Sequence, residues 1–152
     1  MDLSKPWIRD TIQLITEIPE KIPNILHLIW VGNNPIPNNV VDHITKWKEL
    51  MPTWTVRVWT DDDINSSTFP EIFIEKINQA KTPAQKADIM RYYIVYKFGG
   101  FYVDTDVVPH KSLECLRELG HDVILYHDND LTWEYIINCF FGGGHTRSNR
   151  QM

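Results

Sequence analysis

The chain has 152 residues, one domain's worth, and 43% of them are hydrophobic against 23% charged, an ordinary globular balance. Fifteen basic against twenty acidic residues leave a net charge of −5 with no basic stripe, which excludes general nucleic-acid binding from the expected functions. Two cysteines, Cys115 and Cys139, make neither a disulfide framework nor a zinc site, and free thiols mildly favour a reducing compartment.

Residues 1–21 place Trp7, Ile8, Ile12, Ile15 and Ile18 at near-helical spacing, which predicts an N-terminal helix packed on the domain. This stretch has no apolar run of signal-peptide or membrane-spanning length, so the expected location is cytoplasmic or peripheral to a membrane, with no transmembrane segment. Pro19 and Pro23 break the helix. Ile25–Val31 is then a continuous apolar run suited to a buried parallel strand. Trp30 and Gly32 fall at its carboxyl end, where open α/β sheets bind ligands. His27, inside the run, reads as a core histidine with its hydrogen bonds satisfied.

The Pro/Asn-rich stretch from Asn33 to Asn39 reads as a loop. Val40, Val41, Ile44, Trp47 and Leu50 follow at helical spacing until Met51-Pro52-Thr53 ends the pattern. Thr55–Thr60 alternates as a second strand. Asp61-Asp62-Asp63 reads as acidic residues at a helix N-terminus rather than a metal site. Asn65-Ser66-Ser67 fits a glycosylation sequon, and Phe69–Ala80 predicts a short helix.

The densest signal runs from Thr82 to Val108. Thr82 suits an N-cap and Pro83 the first helical position, and Ala87, Met90, Ile94 and Phe98 form an inward stripe. Gly99-Gly100 stops this helix, because glycine accepts the left-handed conformation of a C-terminal cap. Phe101–Asp104 is aromatic and β-branched, as strands prefer. Asp88 and Arg91, three apart, share a helix face distinct from the apolar stripe. Tyr102, Asp104 and Asp106 alternate, and an extended chain projects them to one side about 6.5 Å apart. Two carboxylates so spaced suit one hydrated divalent cation with ligand positions left open for phosphate oxygens. Beyond them, Ser112–Leu119 reads as helix, and Val123–His127 and Glu134–Phe141 as strands. Residues 142–152 carry no core-forming pattern and read as a flexible tail.

The string KADIMRYYIVYKFGGFYVDTDV resembles the DXD region of family 32 glycosyltransferases, a family that includes yeast-type α-1,6-mannosyltransferases and bacterial capsule transferases. The glucosylating domains of large clostridial toxins show a similar arrangement. IPNILHLIWVG at 22–32 and the W-x-x-x-x-P-x-W region from Trp47 to Trp54 extend the likeness over about residues 22 to 145.

The resemblance implies an α/β, GT-A-like single domain on residues 22–141, with a mostly parallel central sheet, helices on both faces and a shortened C-terminus. It implies a metal-dependent retaining transferase that moves a hexose from a nucleotide-sugar, UDP- or GDP-linked, to a glycan, lipid or protein hydroxyl. Asp104 and Asp106 would hold the divalent cation, Mn2+ or Mg2+, and Trp30 would stack on the base. Asp88 and Arg91 would meet the sugar or phosphate, with Tyr102 bordering them. Apart from the resemblance, His145 would be a substitute metal ligand, against a flexible tail as the default reading. Two other readings compete: a nucleotide-sugar-binding module with little transfer, and a haloacid-dehalogenase-type phosphatase, suggested by FYVDTDVV. The phosphatase needs a later lysine and more acidic ligands, and Lys111 is the one lysine after Asp106.

Overall fold

In a computed structural model of the chain, the structure describes residues 22–120, 123–127 and 136–143. The expected N-terminal helix, the first two residues of the expected strand from Glu134, and the tail from 144 onward with His145 lie outside the described residues.

Strand β1 (Ile25–Ile29) leads through helix α1 (Asn38–Leu50) to β2 (Thr55–Trp59). A 3-10 turn at Asp61–Asp63 and helix α2 (Glu71–Gln79) precede helix α3 (Pro83–Phe98), strand β3 (Gly100–Val103) and a single helical turn, α4 (Glu114–Arg117). Strands β4 (Val123–His127) and β5 (Ile136–Gly143) complete the sheet, and β5 extends two residues into the stretch assigned to the tail. The order is β2-β1-β3-β5-β4. β1 pairs parallel with both β2 and β3, while β5 adds antiparallel to β3 and β4 antiparallel to β5. The parallel α/β part is as expected, and the antiparallel extension beyond β3 is what the strand patterns did not specify.

The two crossovers from β1 and β2 run in opposite directions across the sheet. Right-handed connections therefore put their helices on opposite faces. On one face, Ile29, Trp59 and Tyr102 pack with Phe69, Ile77, Met90, Ile94 and Val95 of the α2–α3 side. On the other, Leu26, Leu28, Phe101 and Val103 pack with Trp47 of α1 and Leu113. Strand alternation divides neighbouring residues between these two cores, which is why the runs look continuously apolar.

Helix α3 has the ends its sequence specifies. Thr82 Oγ1 accepts from the Gln85 N–H at 3.2 Å, Pro83 opens the helix, and Gly99 and Gly100 take φ of 63° and 92°. Gly100 has a second constraint: an added Cβ would sit 2.6 Å from the Ile25 carbonyl oxygen, so only glycine lets β3 close on β1. His27 is the satisfied core histidine expected, accepting from Trp59 Nε1 at Nδ1 (3.1 Å) and donating from Nε2 to the Gly99 carbonyl (2.8 Å). No helix of the described residues is long and apolar enough to cross a membrane.

Candidate functional site

Chain direction reverses at β1: the route goes out to β2 and returns to β3 on the other side. The carboxyl ends of β1 and β3 therefore sit side by side with no crossover loop closing the gap, the switch point at which open α/β sheets bind ligands. A cleft of about 370 Å³ opens there. Trp30, Gly32 and Asn34 line it from the loop after β1, Pro83, Ala84, Ala87 and Arg91 from α3, and Tyr102, Asp104 and Asp106 from the end of β3. The small residues of the first α3 turns leave the space, and the charged groups stand at its floor.

Arg91 is the centre of this group. It is only 5% exposed although it carries a full charge. Its Nη2 meets Asp88 Oδ1 at 2.7 Å, its Nη1 meets Asp104 Oδ1 at 3.1 Å, and its Cζ stands 4.7 Å from the centre of the Tyr102 ring. A planar fork can serve two carboxylates and a ring face together, and a point-like ammonium cannot. The expectation of a separate charged face is corrected here: Arg91 lies on the inner side of α3 beside Met90, Ile94 and Val95. Tyr92 and Tyr96 are exposed instead, so residue polarity conceals which side of α3 is buried.

Asp104 is half-buried, and its Oδ1 also accepts from the Tyr102 hydroxyl at 2.5 Å. Burial, followed by repulsion from Asp106 and Asp88, raises its carboxyl above the ordinary range against the pull of Tyr102 and Arg91. The Tyr102 phenol is raised as well, by burial first and then by its bond to Asp104, so it stays a donor. The expected alternation of Tyr102 and Asp104 holds, but Asp106 does not continue it. β3 ends at Val103, and Thr105-Asp106 form a turn closed by the Val107 N–H on the Asp104 carbonyl at 3.1 Å. Asp106 still reaches the cleft, as an exposed carboxylate on a turn.

Asp88 is about half exposed and does not line the cleft. It borders an adjoining open groove with Lys76, Gln79 and Gln85 and touches the site through Arg91. Trp30 is half-buried, outside both cores, with Nε1 donating to the Asn34 carbonyl at 2.9 Å. The bond ties the indole to its own loop at the cleft wall. The Asp61–Asp63 cluster is structural, as read: Thr60 and Asp63 form a capping box, and Arg57 meets Asp63 at 2.9 Å. Asp61 does more than the sequence suggested, since its Oδ2 accepts from the Gly32 N–H at 2.7 Å and so holds the β1 loop. His43 went unnoticed in the sequence: its Nδ1 donates to the Thr105 carbonyl at 3.0 Å from 62 residues away. No local pattern signals such a contact.

The described residues hold no cluster of three or more His, Cys, Asp or Glu side chains fit to cage a metal. Asp104 and Asp106, one fixed and one exposed, put two carboxylates at the cleft, fewer than a cation's full ligand shell requires.

Residues 37–131 match a family described as the glycosyltransferase sugar-binding region containing a DXD motif. Inositol phosphoceramide mannosyltransferase 3 of Schizosaccharomyces pombe is 32% identical over 97 residues, covering 62% of this chain and 27% of that protein. An uncharacterized glycosyltransferase of Acanthamoeba polyphaga mimivirus is 30% identical over 119 residues, 76% of this chain and 47% of its own length. The initiation-specific alpha-1,6-mannosyltransferase of Schizosaccharomyces pombe is 28% identical over 113 residues, 69% of this chain and 28% of that protein. The chain thus spans about a quarter to a half of the length of these relatives.

Proposed function

This chain belongs to the family 32 glycosyltransferases, whose DXD sugar-binding region it carries, and on that premise we propose that it transfers a hexose from a nucleotide-sugar to a hydroxyl acceptor. Mannose is the first sugar to test, because two of the three relatives named above are mannosyltransferases. The observation that carries the reading is the buried Arg91, held between two carboxylates at the floor of a cleft on the sheet's switch point. A charge is costly to bury, and a surface ion pair would need no such burial.

A divalent cation, Mn2+ or Mg2+, fits the donor set: both described contacts to Asp104 fall on Oδ1, and Asp106 is exposed at the same cleft. Asp106 and Asp104 Oδ2 would hold it, and when bound it supplies the positive charge that a departing diphosphate needs. Arg91 and the Tyr102 hydroxyl oppose the upward shift that burial gives the Asp104 carboxyl, and they fix its position in the cleft. Trp30 offers an aromatic face at the wall for the base, and Ala84 and Ala87 leave room beside it. Asp88 orients Arg91 from outside the cleft, and a sugar hydroxyl reaching past the rim would be its second partner. Retention of configuration rests on family likeness. The phosphatase reading is disfavoured because Asp104 already engages Tyr102 and Arg91 through Oδ1, which ill suits a free nucleophile.

Calorimetric titration with UDP and GDP, in manganese and in chelator, tests the cation. Nucleotide affinity should rise at least roughly tenfold in manganese, since each ligand completes the other's site. Asp106→Asn should abolish the gain with an unchanged melting temperature, because its carboxylate is exposed. Equal affinity in manganese and chelator defeats the cation model. Coupling without donor hydrolysis or transfer would favour the binding module instead.

For the base, Trp30→Ala should weaken nucleotide binding by about 1–3 kcal/mol, the usual worth of stacking. Its melting temperature should move little, since Trp30 belongs to neither core. A loss of stability with unchanged nucleotide affinity would remove the stacking role.

A further inference from the structure

We infer that His43 is a positioning residue that aims the Asp106 carboxylate. Asp104 is fixed through its side chain by Tyr102 and Arg91. Asp106 has no such support: among the described residues no hydrogen bond or ion pair holds its exposed carboxylate. Its direction is therefore set by the backbone of the turn. Two bonds define that backbone, the turn-closing one from the Val107 N–H and the one from His43 Nδ1 to the Thr105 carbonyl at 3.0 Å. That carbonyl belongs to the peptide entering Asp106, so holding it fixes the angle at which the Asp106 side chain leaves the chain. A carbonyl only accepts, which places the hydrogen on Nδ1. His43 is itself held firmly, half-buried on α1 between the core anchors Val40 and Trp47. Losing a support behind a metal ligand typically costs about 10- to 100-fold in metal affinity.

The inference rests on the cation reading. Its test compares wild type, His43→Leu and His43→Asn by titration with UDP and GDP in manganese and in chelator, with manganese binding alone followed by its spin-resonance signal. Leucine fills the space without a donor, whereas asparagine Nδ2 can stand in for Nδ1. His43→Leu should lose about tenfold or more of the manganese-dependent gain while its affinity in chelator stays put. His43→Asn should regain most of it. If the leucine variant does not fold, His43→Ala takes its place, alanine being the best helix former. A folded donorless variant with the wild-type gain overturns the inference alone. So does an equal loss in all variants that tracks melting temperature, which would mark a merely structural bond. Wild-type protein with no manganese gain overturns the cation reading and the inference with it.

Discussion

Arg91→Lys is expected to cut sugar transfer and donor hydrolysis at least roughly tenfold, about 1.4 kcal/mol in barrier. The charge survives the substitution, but its geometry does not. Arg91 reaches Asp88 from one nitrogen and Asp104 from another while lying over Tyr102. A lysine ammonium can keep one of these partners, and the other carboxylate turns away. Stability should also fall, by about 1–3 kcal/mol, because a charge that is 6% exposed at the side chain loses part of its compensation. The loss is no larger because Asp88 is half exposed and water replaces its contact. Arg91→Met goes further: it removes the buried charge but strips half-buried Asp104 of its cation, so stability should fall by about 3 kcal/mol and transfer roughly a hundredfold. Undiminished turnover in the lysine variant would end the case for Arg91 in the site.

The second large effect is on stability against pH, and it comes from His27. The ring is 1% exposed and neutral: Nδ1 receives the Trp59 N–H and Nε2 supplies the Gly99 carbonyl. A proton on Nδ1 would set two N–H groups against each other. Burial is the largest cause that lowers its pKa from 6.5 to about 4, with the nearby Arg57 adding to it and the Gly99 bond opposing. Between those two values the unfolded chain binds a proton that the folded chain refuses, so stability rises with pH there and is lost as pH falls. The loss from pH 7 to pH 4 should approach about 3 kcal/mol from this group alone. Urea unfolding at pH 7 and pH 4.5 measures it, and His27→Gln should flatten that share of the slope from a lower starting stability. A wild-type slope no steeper than the variant's would contradict the assignment. Because His27 ties β1 to the α3 cap that precedes Gly100, acid should loosen the strands that carry the cleft before it disturbs the outer helices.

Signals that act within a few residues were legible in the amino-acid sequence alone. The caps of α3 at Thr82, Pro83 and Gly99, the run of β1 and the alternation of β2 each follow from local sterics and hydrogen bonding. The spacing of Asp104 and Asp106 after a buried strand identified the candidate site for the same reason. Tertiary structure decided the rest. Arg91 reads as a surface residue by its charge, and only the approach of Asp104 and Tyr102 from β3 makes its burial tolerable. Asp106 leaves the strand because the chain turns at Thr105, and α1 holds that turn through His43. Asp61 grips the Gly32 loop because β1 and β2 pair in parallel, which sets their carboxyl ends side by side. These contacts join residues 11 to 62 positions apart. Periodicity and capping describe a segment's own backbone; which segments become neighbours follows from the order β2-β1-β3, fixed by the packing of two cores at once.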